Sequence, residues 1–375
     1  MQSIMPILRR TSSLVFLQNL RYNIAALRRH VGPKVKVLLV VKADAYGHGI
    51  VPCSVAAQEE KVDWLGVALA EEGMQVRQAG VSLPILVFGA LNAEGMDCAC
   101  EHGLTIPLPD AHSVHLAQTV AEKYNKTIDA HIKLDTGMGR IGARTPEEVQ
   151  SILQTLVACP RVKLKGVFTH LANADGEDRT YTDMQLKRFA ELRAPLPQGL
   201  LVHMAASGGA MFRPDTHFGM VRVGTALYGY PPEGSPVAFK PCIRISAEIT
   251  FVKHIEPGES VSYGCTFTAS KSTKVATIAV GYGDGYPRAL SNKGRVLIHG
   301  QSCPIIGRVC MDQFMVDASG VENVQPGETA VLIGRQGQAF IGADELARTI
   351  GTVTYDILLS PGSRIPKRYT YQPEE

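Results

Sequence analysis

Along the first two-thirds of the chain, short and almost unbroken apolar runs alternate with longer mixed segments. The runs Val35–Lys42, Trp64–Leu69, Ile85–Phe88, Thr105–Leu108, Ala130–Leu134, Gly166–His170, Leu201–Met204 and Val221–Ala226 read as eight strands. Between them, segments such as Ala111–Tyr124, Pro146–Ala158 and Thr182–Arg193 repeat apolar residues three and four apart, the period of a helix. Pro146-Glu147-Glu148 marks one helix start, because proline suits the first turn and acids suit the N-terminus. Strands that are apolar throughout are buried on both faces, as in parallel sheets. Eight β-α repeats of this kind predict a closed (β/α)8 barrel. An open doubly wound sheet is the alternative, but no Gly-x-Gly-x-x-Gly follows the first strand.

The texture changes near Pro231-Pro232-Glu233-Gly234. Beyond Ile243 come short strand-like runs punctuated by glycine: Ile245–Val252, Lys274–Val280, Arg295–Ile298, Phe314–Val316 and Ala330–Ile333. Pro257-Gly258 and Pro326-Gly327 are turn signals, and only Gly342–Thr349 reads as helical. A barrel takes about 250 residues, so 375 residues leave room for a second module. The expected fold class is α/β: a TIM-type barrel over 1–237 and a mainly antiparallel β domain over 238–375. The extreme N-terminal residues are expected to pack with the β domain.

Composition narrows the function. With 45% hydrophobic and 19% charged residues, the chain has material for a large core. A net charge of +3 without long Lys/Arg runs gives no reason to expect nucleic acid or an anionic membrane as partner. The eight cysteines form no Cys-x-x-Cys pair, so neither a metal site nor a disulfide framework is expected. Arg9 and Arg10 could open a signal peptide, but the apolar run Leu14–Leu17 is too short for its core. No apolar stretch approaches the ~20 residues needed to cross a bilayer. A cytoplasmic protein is expected.

Lys42 closes the first apolar strand, where barrel enzymes keep their chemistry. Burying an ammonium costs several kcal/mol unless it is paired or neutral. A lone lysine there is ordinarily a snorkelling surface residue; the chemical alternative is an amine kept neutral or condensed with an aldehyde cofactor. The surrounding run decides between them. Val40-Val41-Lys42-Ala43-Asp44-Ala45-Tyr46-Gly47-His48-Gly49 resembles the pyridoxal-phosphate (PLP) attachment motif of alanine racemases. Further segments resemble that family in order: Lys133–Gly142, Phe168–Ala172, Met220–Gly224, Val261–Thr266, Gly281–Tyr286, Gly307–Gln313 and Gly351–Asp356. Any one could be chance; the series spans almost the whole chain.

The resemblance implies a PLP-dependent isomerase that interconverts L- and D-alanine, a peptidoglycan precursor, as a homodimer whose sites are shared between subunits. It implies that Lys42 carries the cofactor and is the base on the D-alanine side, while Tyr263 is the base on the L-alanine side. Racemisation needs groups on opposite faces of the α-carbon, and a phenol must be activated by its surroundings to serve. Arg140 is the cation implied for that purpose and for the substrate carboxylate. Arg222 is implied to face the pyridine nitrogen of PLP; an arginine cannot accept a proton from that ring, which keeps it a weak electron sink. His170 is implied to support Arg222. Ser207, Gly224, Thr225, Tyr46 and Tyr355 are implied around the phosphate, with Ser207 equally readable as a helix N-cap. Met311 is implied near the substrate, Tyr282 at the entrance and Asp312 beside them, and Lys133 matches a position carbamylated in many members. Ala206 departs from the family's usual Asn before Ser207, which puts one hydrogen bond near the cofactor in doubt.

Three rival readings stand beside this one. A serine or broad-specificity racemase would use the same machinery. A decarboxylase of like architecture normally supplies a cysteine where Tyr263 stands. A non-catalytic PLP-binding protein would need only the barrel.

Overall fold

The computed structural model describes residues Thr11–Gln372, so Arg9 and Arg10 lie outside the described residues. The chain forms two compact units, one over Leu20–Lys240 and one joining residues up to Asn19 with those from Pro241 onward.

The described residues begin with β1 (Ser12–Phe16) and the helix Leu17–Val31. The parallel strands follow: β2 (Lys36–Val40), β3 (Trp64–Val67), β4 (Ile85–Val87), β5 (Ile106–Leu108), β6 (Ile128–Lys133), β7 (Val162–Phe168), β8 (Leu201–His203) and β9 (Met220–Val223). Their order, β4-β3-β2-β9-β8-β7-β6-β5, puts the first and last of them side by side, with Leu38 opposite Arg222. The remaining seam between β4 and β5 closes through Thr105, whose N–H donates to Ile85 (2.8 Å) and whose carbonyl accepts from Val87 (2.9 Å). The expected barrel forms, and Val37, Leu38 and Leu39 are completely buried in it, as the unbroken apolar run requires. The helix Pro146–Ala158 begins as its sequence predicts, with Pro in the first turn and a capping box between Thr145 and Glu148. Helices also form at Ile50–Glu59, Ala70–Gln78 and Ala93–Glu101.

The other unit is built on a sheet that recruits β1. Its strands are β10 (Ile243–Ile255), β13 (Thr273–Ile278), β14 (Arg295–Ile298), β15 (Gln301–Ile306), β16 (Phe314–Asp317), β17 (Thr329–Gln336), β18 (Ala339–Ile341) and β19 (Lys367–Thr370), with a separate hairpin of β11 (Ser260–Val261) and β12 (Phe267–Thr268). Pairing is antiparallel except that β1 runs parallel to β19 while lying antiparallel to β10. The apolar run at Leu14 is therefore a strand. A second helix, Thr354–Leu359, joins Ala343–Ile350, correcting the expectation of a single one. Among the described residues no helix is long and apolar enough to cross a membrane.

Candidate active site

At the C-terminal end of β2 the backbone turns the wrong way. Ala43, Asp44, Ala45 and Tyr46 all hold φ between 51 and 54°, a left-handed turn closed by Gly47. Each L-residue there costs roughly 1–2 kcal/mol, so the surroundings must impose it. Glu72 accepts from the Ala43 N–H (2.6 Å) and Asp44 accepts from that of Ile50 (2.8 Å). The His48 Nδ1 donates to the carbonyls of Ala45 and Tyr46 (3.1 and 2.9 Å), and the His48 ring stacks on Tyr228. This turn sets Lys42 at the barrel end. Burial, then Arg140, lower the pKa of its ammonium against the opposing pull of Glu72.

Tyr46 reaches from the same turn towards the end of β9, where a Cβ on Gly224 would overlap its hydroxyl. Gly224 and Thr225 lie just beyond the strand, not within it, and Thr225 opens a short 3-10 turn. Ser207 begins the helix Ser207–Phe212, but Ala206 occupies the cap position without a side-chain hydrogen bond, so the reading of Ser207 as N-cap is corrected.

Arg222 projects from β9 and is buried. One terminal nitrogen donates to the carbonyls of Thr169 (2.8 Å) and Met204 (2.9 Å) and meets His170 Nδ1 at 3.3 Å; the other donates to His203 Nδ1 at 3.0 Å. All these partners are neutral. Burial, then Arg140, pull its pKa down to about 9, which leaves it a cation at neutral pH. His170 falls to about 3, through burial and then Arg222.

Lys133 is buried on β6, and its amine donates to the Leu134 carbonyl (2.7 Å) beneath the Phe168 ring. Burial, then Arg222, lower its pKa to about 7, against a raising pull from Asp135. The Arg140 loop is held by Asp135, which accepts from the N–H groups of Gly137 (3.1 Å) and Gly139 (3.0 Å). Arg140 itself is exposed, yet it depresses Lys42, Lys133, His170 and Arg222 alike. Arg222, Arg140, Lys133 and Lys42 thus all act on the neutral His170, and the basic groups gathered around it suit anionic ligands.

In the other unit, Tyr263 stands in the turn between β11 and β12 with 71% of its surface exposed. Its neighbour Ser262 donates to the Arg308 carbonyl at 2.6 Å. Ser262, Tyr263, Cys310, Met311, Asp312 and Gln313 line a hollow of about 310 Å³. Tyr282 is tied to the same loop, since its N–H donates to the Cys310 carbonyl (3.0 Å) and that of Gly283 to Met311 (2.8 Å). Arg364 clasps both loops, pairing with the fully buried Asp284 (3.1 Å) and with Asp312 (2.8 Å). Tyr355 lies on the helix Thr354–Leu359, half-exposed. No group of three or more His, Cys, Asp or Glu residues suited to a metal ion occurs among the described residues.

His203 and His131 escape the sequence reading. A signal was present for His131, which lies two residues before Lys133 on one strand and so shares its face.

The family model "Alanine racemase, N-terminal domain" matches residues 15–232, and "Alanine racemase, C-terminal domain" matches 242–369. An alanine racemase of Symbiobacterium thermophilum is 41% identical over 96% of this chain and 97% of its own. The crystal structure of alanine racemase from Bacillus anthracis with bound L-Ala-P superposes with a TM-score of 0.91 at 32% identity, covering 98% of this chain and 96% of that one. An alanine racemase from Bartonella henselae with covalently bound pyridoxal phosphate gives 0.87 at 30%, covering 96% and 99%.

Proposed function

The chain belongs to the alanine racemase family, and from that premise we infer that it is a PLP-dependent isomerase interconverting L- and D-alanine. The observation that carries this reading is Arg222: a buried cation, held by neutral acceptors, at the same barrel end as a lysine whose ammonium is disfavoured.

The residues present fit the cofactor. Lys42 would hold it covalently, Arg222 would face its ring nitrogen, and Tyr46, Ser207, Gly224, Thr225 and Tyr355 would receive its phosphate. Gly224 fits that use because any side chain there would collide with the Tyr46 hydroxyl. When bound, PLP withdraws electrons from the substrate α-carbon and so acidifies its proton. Arg222 would donate to the ring nitrogen and, being a cation, take nothing back. Arg140 would orient the substrate carboxylate, with the Met311 backbone beside it and Tyr282 and Asp312 at the entrance. Lys42 would move the proton on the D side and Tyr263 on the L side, because inversion needs one group per face. With its pKa near 7, the Lys133 amine is partly unprotonated at neutral pH, the form that takes up carbon dioxide as a carbamate. Tyr263 comes from a second copy of the chain in a homodimer, and the enzyme works in the cytoplasm.

Chiral chromatography tests the activity. Purified protein with PLP should convert L-alanine to the racemate and leave most of a panel of other L-amino acids unchanged. Equal action on serine would replace alanine with a broader substrate class, and no inversion of any amino acid would refute the reading. Borohydride reduction should fix the cofactor's mass on the peptide containing Lys42; attachment elsewhere would overturn the barrel-end assignment.

A further inference from the structure

Behind Arg222, two fully buried imidazoles continue its hydrogen bonds into the barrel wall. A guanidinium has only donors. The contact from its Nη1 to His203 Nδ1 (3.0 Å) therefore requires that nitrogen to accept. A neutral ring that accepts at Nδ1 carries its proton on Nε2. His203 Nε2 lies 2.9 Å from His131 Nδ1, so His131 accepts there and carries its own proton on Nε2. That last nitrogen is buried and has no hydrogen-bond partner among the described residues. Its ring edge is packed onto the β7 backbone, where a Cβ on Gly166 would sit 2.8 Å from both Nε2 and Cε1, and Trp64 tilts against the ring at 5.4 Å.

We infer that Arg222, His203 and His131 form a proton-locked clamp, and that His131 is a positioning residue for Arg222 acting through His203. A relay must receive a proton at one nitrogen and release one from another. Here the first nitrogen is occupied by an arginine N–H, and the last proton faces packed backbone. The charged groups facing the chain are Arg222 and Lys133, both basic, while His170 lies on the other terminal nitrogen of Arg222. Burial and then Arg222 hold both rings neutral, His131 down to about 3 and His203 well below the usual range. The clamp fixes the guanidinium in the plane of its acceptors and offers no protein proton to whatever it donates to. Its use rests on the proposed function, in which that acceptor is the cofactor's ring nitrogen.

Imidazole ¹⁵N NMR of the histidine-labelled holoenzyme tests the proton order directly, with resonances assigned from His131→Asn and His203→Asn variants. Both residues should show the neutral Nε2–H pattern from roughly pH 6 to 9, unlike a freely titrating histidine. An imidazolium, or an Nδ1–H tautomer, at either residue would overturn the clamp. His131→Leu removes the acceptor and should shift the His203 Nε2 resonance while lowering kcat about five- to tenfold at unchanged KM, the effect of one lost hydrogen bond. His131→Asn keeps an acceptor near Nδ1 and should stay within about twofold of the parent. An unshifted His203 resonance and unchanged kcat in His131→Leu would remove His131 from the mechanism. A parent protein that shows the predicted tautomers but racemises nothing would refute the proposed function and leave the clamp standing.

Discussion

His131 stands in the barrel wall as a neutral ring because burial disfavours its imidazolium and because, secondarily, charging it would put another cation beside Arg222. Stability follows from that. The unfolded histidine takes up a proton near pH 6.5, whereas the folded one resists until about 3, so the unfolded state binds more protons in that interval. Stability is complete above ~6.5 and falls by ~1.4 kcal/mol per pH unit for each such histidine as pH drops towards the folded value. Urea midpoints should therefore decline from about pH 6.5 downwards, and His131→Asn should decline less steeply. Equal slopes would show that His131 titrates normally in the fold. The same residue marks a limit of sequence reading. Lys42, Arg140 and Tyr263 stood out because each sits in a distinctive motif, whereas His131 shows only its two-residue spacing from Lys133. Its meaning comes from His203 and Arg222, which lie 72 and 91 positions away in the chain.

Among the elements, the barrel strands were the most legible, since burial on both faces leaves an unbroken apolar run. The left-handed turn after Lys42 was not, because Ala43-Asp44-Ala45-Tyr46 contains no glycine to announce positive φ. The tertiary hydrogen bond from Ala43 to Glu72 and the local one from Ile50 to Asp44 override backbone preference there. Ala43→Gly should raise the denaturation midpoint by the equivalent of about 0.5–1 kcal/mol, as strain is released. A lower midpoint would mean the turn is not strained. Gly142 works in the opposite sense: at φ 120° a Cβ would lie 2.7 Å from the Lys133 carbonyl. Gly142→Ala should cost about 2 kcal/mol or more in chemical unfolding, and a neutral result would contradict the packing of the Arg140 loop on β6. At the cofactor end, Gly224→Ala should leave folding intact yet weaken PLP retention at least about tenfold in dialysis followed by absorbance. Unchanged retention would move the phosphate away from Gly224. In the other unit β1, β11, β12, β15, β18 and β19 were missed, β1 and β15 for separate reasons. Leu14–Phe16 is short and far in sequence from β10, and β15 begins with polar Gln301-Ser302 and contains Pro304.

At the scale of the whole molecule, the two proposed bases belong to different units, Lys42 in one and Tyr263 in the other. The family reading completes each site with a second chain. An inactive Lys42→Ala chain mixed with an inactive Tyr263→Phe chain should then regain activity, since a hybrid dimer holds one intact site. No recovery despite demonstrated subunit exchange would mean that both bases come from one chain. The broad division into barrel and sheet was legible from the change in texture near Pro231. The recruitment of β1 between β10 and β19 depends on pairings more than 200 residues apart, beyond the reach of local periodicity.

The assignment of one base to each face is tested most directly by solvent exchange at the α-carbon of alanine. Tyr263→Phe holoenzyme, incubated in deuterated water with each enantiomer separately, should lose racemisation by about 10²–10⁴-fold, the range expected for a missing acid–base group. It should still exchange the α-proton of D-alanine slowly through Lys42, without inverting it, and exchange that of L-alanine far less. Equal exchange of both enantiomers would contradict the account, because it would mean that a single group, or solvent, serves both faces.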